Sequence, residues 1–319
     1  MFNKAVFLDA ESVDRGDISW SALKAMAHHS LWYKATTPEQ TLERIVDADL
    51  VISNKVVIDR PLMAACTNLR LICVAATGTN NVDLEAAAEL GIAVTNVTGY
   101  GTPSVVQHVF SLILSLATRQ PQYREAVARG DWQRANQFCL LDYPIWELSG
   151  KRLGILGYGE LGRAVARVAE AFGMEVLVGQ RPGGPPQAGR IALETLLPQV
   201  DILSLHLPLA ENTRNLISTR ELALMQPHAL LINTARGGIV DESALAEALI
   251  NGGLGGAGVD VLSKEPPTDG NPLLNPEVPN LILTPHIAWA SVEARQRLID
   301  EVGANVRAYL AGESRNRVA

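Results

Sequence analysis

Cysteine is scarce in this chain. The three residues, Cys66, Cys73 and Cys139, show no Cys-x-x-Cys spacing. So odd and sparse a set is no disulfide framework and suits a reducing compartment. Cys66 and Cys73 fall in apolar stretches and are expected in the core. No run of Lys or Arg occurs, and the formal net charge is −7, which argues against a nucleic-acid partner. Long hydrophobic runs are also missing. The longest, VVQHVFSLILSLA (105–117), includes Gln107 and His108; it is too short to span a bilayer and reads as a buried helix between domains, so no membrane partner is expected. The N-terminus, MFNKAVFLDAE, enters a strand at once. It lacks the basic segment and following apolar segment of a secretion signal, and cytoplasm is the expected location. There is no P-loop, no HExxH, no GxSxG and no low-complexity tail. Metal-ligating residues do not cluster, so no metal is expected.

What remains is a chain of 319 residues with ordinary hydrophobic and charged fractions, 47% and 19%. That length favours two domains of a globular protein. Short β-rich runs alternate with helical patterns throughout. KAVFLD (4–9), DLVIS (49–53), RLICVAA (70–76) and IAVTNV (92–97) read as strands, with helices near 38–47, 59–66 and 83–90. Asp83 is placed to cap the last of these helices. A second series follows at 152–158, 174–180, 200–206, 229–235, 256–261 and 281–285, with helices at 160–172, 218–225 and 241–250. Such alternation predicts an α/β protein of two doubly wound, Rossmann-like parallel-sheet domains with a cleft between them. The expected boundaries are 1–98, completed by 287–319, and 99–286. The segment SVEARQRLIDEVGANVRAYLAG returns to the first domain.

Gly157-Tyr158-Gly159-Glu160-Leu161-Gly162 joins a strand to a helix. Gly157 permits the turn, Gly159 lets a pyrophosphate approach the backbone, and Gly162 lets helix and strand pack closely. Phosphates would meet the free N–H groups at the helix N-terminus; the alternative is a tight turn without a ligand. The next strand ends in Gln180-Arg181. An NAD site usually has Asp or Glu there, to hold the ribose 2′-hydroxyl. A neutral Gln180 beside a cationic Arg181 suits a 2′-phosphate, so NADP(H) is favoured and NAD(H) is the alternative. Arg181 as a solvated surface residue remains open.

Arg236 follows a strand in NTARGGIVDE. Its guanidinium can clamp a carboxylate through two parallel hydrogen bonds; a structural salt bridge is the alternative. Six histidines occur. His28 and His29 read as exposed residues of a polar helix, His108 as a satisfied core or interface residue, and His228 as a loop residue. His206 ends a strand near the expected cofactor. His286 stands apart because Pro285 fixes the chain before it at a strand end. Glu265, in DVLSKEPP, is the candidate carboxylate to hold its tautomer and favour the imidazolium; the competing reading is an ordinary loop carboxylate. Asp260 ends a strand where it could bond a nicotinamide carboxamide.

The segments ATGTNNVDL (76–84), GYGELG, HLPLAENTRNLI (206–217), NTARGGIVDE, GVDVLSKEPP and TPHIAWAS occur in this order along nearly the whole chain. In them the sequence resembles the D-isomer-specific 2-hydroxyacid dehydrogenase family. GYGTPSVVQHVF (99–110) and HIAWAS are most similar to its glycerate dehydrogenase, or hydroxypyruvate reductase, group. The resemblance implies reduction of a small 2-oxo acid such as hydroxypyruvate or glyoxylate to the D-2-hydroxy acid, and the reverse. It implies Arg236 as substrate anchor, His286 as acid/base and Glu265 as its partner, with the backbone of Ala76, Thr77 and Gly78 meeting the substrate carboxylate. It places Thr102, Glu160, Leu161, Arg181, Leu207, Pro208, Thr213, Thr234, Ala235 and Asp260 around the dinucleotide, and it implies a homodimer built on the cofactor domain. Two positions depart from the family pattern. Gln180 replaces an acidic residue, and Gln107 stands where many members carry Glu, although a Gln-His pair also resembles the glycerate group. The other readings are a phosphoglycerate or formate dehydrogenase of the same family, and a non-catalytic nucleotide-sensing protein on the same scaffold.

Overall fold

The computed structural model describes the backbone of residues 1–319 and every side chain except that of Ala22. It resolves into two compact units, Met1–Gly101 with Trp289–Ala319, and Thr102–Ala288.

The first unit begins β1 (Phe2–Phe7), α1 (Ser21–Lys24), β2 (Ala27–Trp32), α2 (Pro38–Ile45), β3 (Leu50–Ser53), α3 (Arg60–Ala65), β4 (Leu71–Val74), α4 (Leu84–Glu89) and β5 (Ala93–Thr95). Its strands form one sheet in the order β2-β1-β3-β4-β5, and every pairing is parallel. The central strands β3 (LVIS) and β4 (LICV) are buried at every position, as strands covered on both faces must be. Helix starts are written locally. Thr37 and Gln40 form a capping box that spans Pro38, Asp59 accepts from Leu62 N at 3.1 Å, and Asp83 accepts from Ala86 N at 2.9 Å.

The second unit contains α5 (Thr102–Ala117), α6 (Gln120–Ala128), α7 (Asp131–Arg134), β6 (Arg152–Leu156), α8 (Glu160–Ala171), β7 (Glu175–Val178), α9 (Leu193–Leu196), β8 (Ile202–Leu205), α10 (Thr219–Leu222), β9 (Leu230–Asn233), α11 (Glu242–Ile250), β10 (Gly256–Val259) and β11 (Leu281–Leu283). The sheet order is β11-β10-β9-β8-β6-β7, again all parallel. The order reverses between β6 and β8, the switch point at which such sheets open a ligand crevice beyond their carboxyl ends. On one face Leu203, Leu205, Leu231 and Val259 pack with Leu245 and Leu249 of α11. On the other, α5 lies so close to β10 that a Cβ on Gly258 would come within 2.9 Å of Leu112.

The chain returns to the first unit through α12 (Val292–Leu310), capped by Ser291, which accepts from Ala294 N. Leu298, Ile299, Val302 and Val306 join a core containing Phe2, Phe7, Leu50 and Leu71. Cys66 and Cys73 are core residues too, and burial pushes their thiols up to about 11 and about 12.

The helix expected around His28 and His29 is instead strand β2, with both imidazoles exposed. It is an edge strand, paired with β1 alone. Its run AHHSLW therefore needs few of the branched apolar residues by which a central strand declares itself.

Candidate active site

Strands β9, β10 and β11 are neighbours, and each delivers one candidate just beyond its carboxyl end. Arg236 follows β9, Glu265 follows β10 and His286 follows β11. His286 Nδ1 lies 2.6 Å from Glu265 Oε2, while Glu265 Oε1 accepts from Leu262 N at 2.8 Å. The carboxylate thus bridges its own loop to the imidazole. The two side chains are 31% and 34% exposed, open enough for a small substrate to reach. Arg236 is exposed, donates from Nη1 to Ala235 O at 2.7 Å, and enters no ion pair within 4.0 Å among the described residues. A structural salt bridge therefore does not account for it. Gly237 beside it is required by packing, since a Cβ there would fall 1.9 Å from the Leu262 carbonyl.

The loop carrying His286 is held unusually hard. His286 has φ +54°, a left-handed conformation uncommon for a side chain of this size. Its N–H donates to Asp260 O at 2.8 Å and Thr284 O at 3.0 Å. Asp260, 1% exposed, accepts from Thr284 Oγ1, from Ile287 N at 2.9 Å and from Ala288 N at 2.9 Å. The Asp260 side chain thus holds the turn that presents His286.

In the glycine turn, Gly157 has φ +94°, and a Cβ on it would strike His206 O at 2.4 Å. A Cβ on Gly162 would strike Gly157 O at 2.1 Å, but beside Gly159 the space is open. Gly159 is also the N-cap of α8 and offers that helix no side-chain cap. Backbone donors at a positive helix end, next to open space, suit a pyrophosphate. Glu160 is drawn aside by Thr102 Oγ1, 2.6 Å from its Oε1, and Leu161 is half-buried.

A second mark of a ligand comes from orphaned polar atoms. Thr234 Oγ1 and His206 Nδ1 are both buried without a hydrogen-bond partner. They follow β9 and β8, which are paired through Asn233 and Leu205. His206 Nε2 lies 3.0 Å from Ser204 Oγ, and burial pushes this imidazole down to about 4. Unsatisfied buried groups are costly, and the hydroxyl-rich flank of a dinucleotide is chemically suited to satisfy them. The residues present therefore fit a nicotinamide dinucleotide.

The remaining candidates sit in segments that follow strands. Thr213 Oγ1 accepts from Ala210 N and donates to Pro208 O, both at 2.7 Å, so it closes its own turn. Leu207 and Ala235 are buried, while Pro208 is exposed. Gln180 is half-buried; its amide bonds Pro185 O and accepts from Gln187 N at 3.1 Å. It ties the Pro/Gly loop together, and Asn212 tethers that loop through Pro182 O at 2.8 Å. Arg181 is exposed, and Arg190 stacks over Tyr158 of the glycine turn, 4.8 Å from the ring centroid. On the first unit, Ala76, Thr77 and Gly78 follow β4. Thr77 Oγ1 donates to Val97 O at 2.8 Å, and Asn96 donates to Thr77 O at 2.8 Å. His228 is a loop residue held by Asp201 at 2.9 Å.

Comparison with known proteins agrees with this geometry. Residues 110–288 match the family described as "D-isomer specific 2-hydroxyacid dehydrogenase, NAD binding domain". The chain is 46% identical to a glycerate dehydrogenase of Methylorubrum extorquens, over 100% of this chain and 99% of that one. It is 37% identical to a hydroxypyruvate reductase of Blautia hydrogenotrophica, over 99% of each. Among solved structures, an NADPH-dependent glyoxylate/hydroxypyruvate reductase from Sinorhizobium meliloti superposes with a TM-score of 0.80. It is 28% identical, and the match covers 99% of this chain and 98% of that one. The chain belongs to the D-isomer specific 2-hydroxyacid dehydrogenases. It is an oxidoreductase that uses a nicotinamide cofactor to reduce 2-oxo acids to D-2-hydroxy acids.

His206 generates a pH prediction. The folded protein excludes the proton, whereas the unfolded chain takes it up below about 6.5, the ordinary value. Stability therefore falls as pH drops from about 6.5 toward 4, by up to about 3 kcal/mol from this group. In urea titrations, His206→Asn should be less sensitive to pH across that window. An unchanged pH slope would show that His206 is not excluded from protonation.

Proposed function

We propose that the substrate is a small 2-oxo acid of the hydroxypyruvate or glyoxylate type, with His286 as proton donor, Glu265 as its partner and Arg236 as anchor. The observation that carries this reading is the 2.6 Å contact between His286 Nδ1 and Glu265 Oε2, on strand ends adjacent to Arg236. Glu265 fixes the tautomer and stabilises the imidazolium. With Nδ1 so engaged, Nε2 exchanges the proton with the substrate oxygen. Arg236 clamps the carboxylate with its fork and polarises the neighbouring carbonyl. The braced loop at Ala76, Thr77 and Gly78 is our further candidate for backbone donors to the carboxylate. The dinucleotide, when bound, supplies the hydride. In the reverse direction, neutral His286 takes the hydroxyl proton.

For the dinucleotide we favour NADP(H), with NAD(H) also accepted. No carboxylate follows β7 to repel a 2′-phosphate, and Arg181 offers a charge-assisted bond worth about 1.5–3 kcal/mol. Arg190, steadied on Tyr158, is a second cation in the same loop. We also propose a homodimer formed through the second unit. Trp132, Phe138, Leu141 and Ile145 lie in one stretch of it and are 54%, 90%, 78% and 56% exposed, a concentration of apolar surface typical of interfaces. The sparse, unpaired cysteines fit a reducing cytoplasm.

His286→Gln should keep the fold and cofactor binding while lowering kcat for hydroxypyruvate about 10²- to 10⁴-fold; a rate within about threefold of wild type would remove His286 from this role. Arg181→Ala should cut the kcat/KM ratio of NADPH over NADH roughly 10- to 100-fold. If the wild-type enzyme already prefers NADH at low ionic strength, where an arginine–phosphate contact is strongest, the NADP(H) reading fails. Sedimentation velocity should find a dimer, converted toward monomer by Phe138→Ser with Leu141→Asp; a wild-type monomer at micromolar concentration would refute the interface.

A further inference from the structure

Two polar residues of α5 reach the segment that carries His286. Ser104 and His108 stand one turn apart on one face of this 16-residue helix. Ser104 Oγ donates to Ala288 O at 2.7 Å. His108 Nε2 lies 3.0 Å from Thr284 Oγ1 and 3.5 Å from Asp260 Oδ1. Thr284 Oγ1 in turn donates to Asp260 Oδ1. A threonine hydroxyl carries one proton, and a carboxylate only accepts. With that proton committed to Asp260, the hydroxyl must accept from His108, so Nε2 is the protonated nitrogen of the His108 ring.

We propose that His108, supported by Ser104, is a positioning residue for His286. It acts through Thr284 and Asp260 and touches neither substrate nor cofactor. This rests on the assignment of His286 as proton donor. The chain on both sides of His286 is pinned from the helix. Thr284 is pinned on one side by the His108 donor and Ala288 on the other by the Ser104 hydroxyl, while the Asp260 carboxylate joins the two pins through Thr284 Oγ1, Ile287 N and Ala288 N. The helix is a rigid support, because it packs directly on β9 and β10. A left-handed histidine has little intrinsic preference for its backbone conformation. Its placement therefore depends on these outside bonds. A displacement of about 1 Å in a reacting group costs roughly 10²-fold in rate, so loosening the pins should appear in the chemical step rather than in binding.

The test compares His108→Leu, His108→Gln, His286→Gln and the double variant His108→Leu with His286→Gln, using hydroxypyruvate and the preferred reduced cofactor. His108→Leu should lower kcat about 10- to 100-fold. KM and the cofactor Kd, read from quenching of protein fluorescence, should stay within about threefold of wild type. His108→Gln keeps a donor near the Nε2 position and should recover kcat to within about fivefold of wild type. In the His286→Gln background His108→Leu should cost nothing further, since residues acting as one unit are not additive. A fully additive loss would mean a general structural role and overturn the proposal. So would a His108→Leu kcat within about twofold of wild type while His286→Gln is impaired, which leaves the assignment of His286 intact. A fully active His286→Gln would instead bring down that assignment and the positioning role with it. If His108→Leu does not fold, Ser104→Ala carries the test, with an expected fall in kcat of about 3- to 10-fold and refutation by an unchanged kcat.

Discussion

A carboxylate buried at the end of a strand must find donors, and the way Asp260 finds them determines the path of the chain beyond β11. Asp260 continues β10 into the carboxyl-end region of the sheet, where its side chain is cut off from solvent. Leaving it unpaired would cost several kcal/mol. Its donors are Thr284 Oγ1 and the backbone amides of Ile287 and Ala288. To bring those amides round, the chain must turn sharply at His286, which explains its positive φ without recourse to glycine. The outward aim of the imidazole is thus a consequence of satisfying a buried charge behind it. Glu265 plays a similar part on the neighbouring loop, spending one oxygen on the Leu262 amide and presenting the other to Nδ1.

Close backbone approach is the second constraint, and glycine meets it. The glycine turn passes within contact of the segment after β8, and the Arg236 loop presses on the Leu262 carbonyl. Any side chain at Gly157 or Gly237 would have to displace backbone rather than a flexible neighbour. The glycine turn and the Arg236 loop therefore share a geometry, in which each packs against a neighbouring strand-end segment with no side chain between them.

The parts of this arrangement legible in the sequence are those encoded locally. Mostly apolar runs mark β3, β4, β8 and β9, because a strand buried on both faces leaves little room for polar side chains; Ser53, Ser204 and Asn233 are the buried polar positions in them. Asp83 caps its helix as its spacing suggests. The placement of the glycine turn, and of Arg236, Glu265 and His286 beyond strand ends, could be read because local context restricts where such residues fall. What was not legible depends on partners far away in the chain. His108 and Thr284 are 176 residues apart, so the sequence could say only that a histidine on an apolar helix needs a partner. The bonds of Asp260 to Thr284, Ile287 and Ala288 were hidden because its burial is a tertiary fact. The bonds by which the Thr213 hydroxyl closes its own turn were not legible from the motif it lies in. Strand β2 was hidden because an edge strand needs apolar residues on fewer sides.

The order of the second sheet explains how residues from three separate loops come to lie together. Parallel strands put all their carboxyl ends on one edge, with neighbours about 4.8 Å apart. Groups just past β9, β10 and β11 are therefore close together whatever the lengths of the intervening helices and loops. The spacing comes from the hydrogen-bond ladder, which substitutions on the loops do not alter. Orientation needs more, because a loop side chain is free to swing. Here it is supplied from outside the loops, by Asp260 from the adjacent strand and by Ser104 and His108 from the helix lying on that face. Distance set by the sheet and direction set by buried polar bonds are separable properties. A protein of this architecture can thus change its substrate-facing side chains without losing the frame, or lose its aim through residues that never meet a substrate.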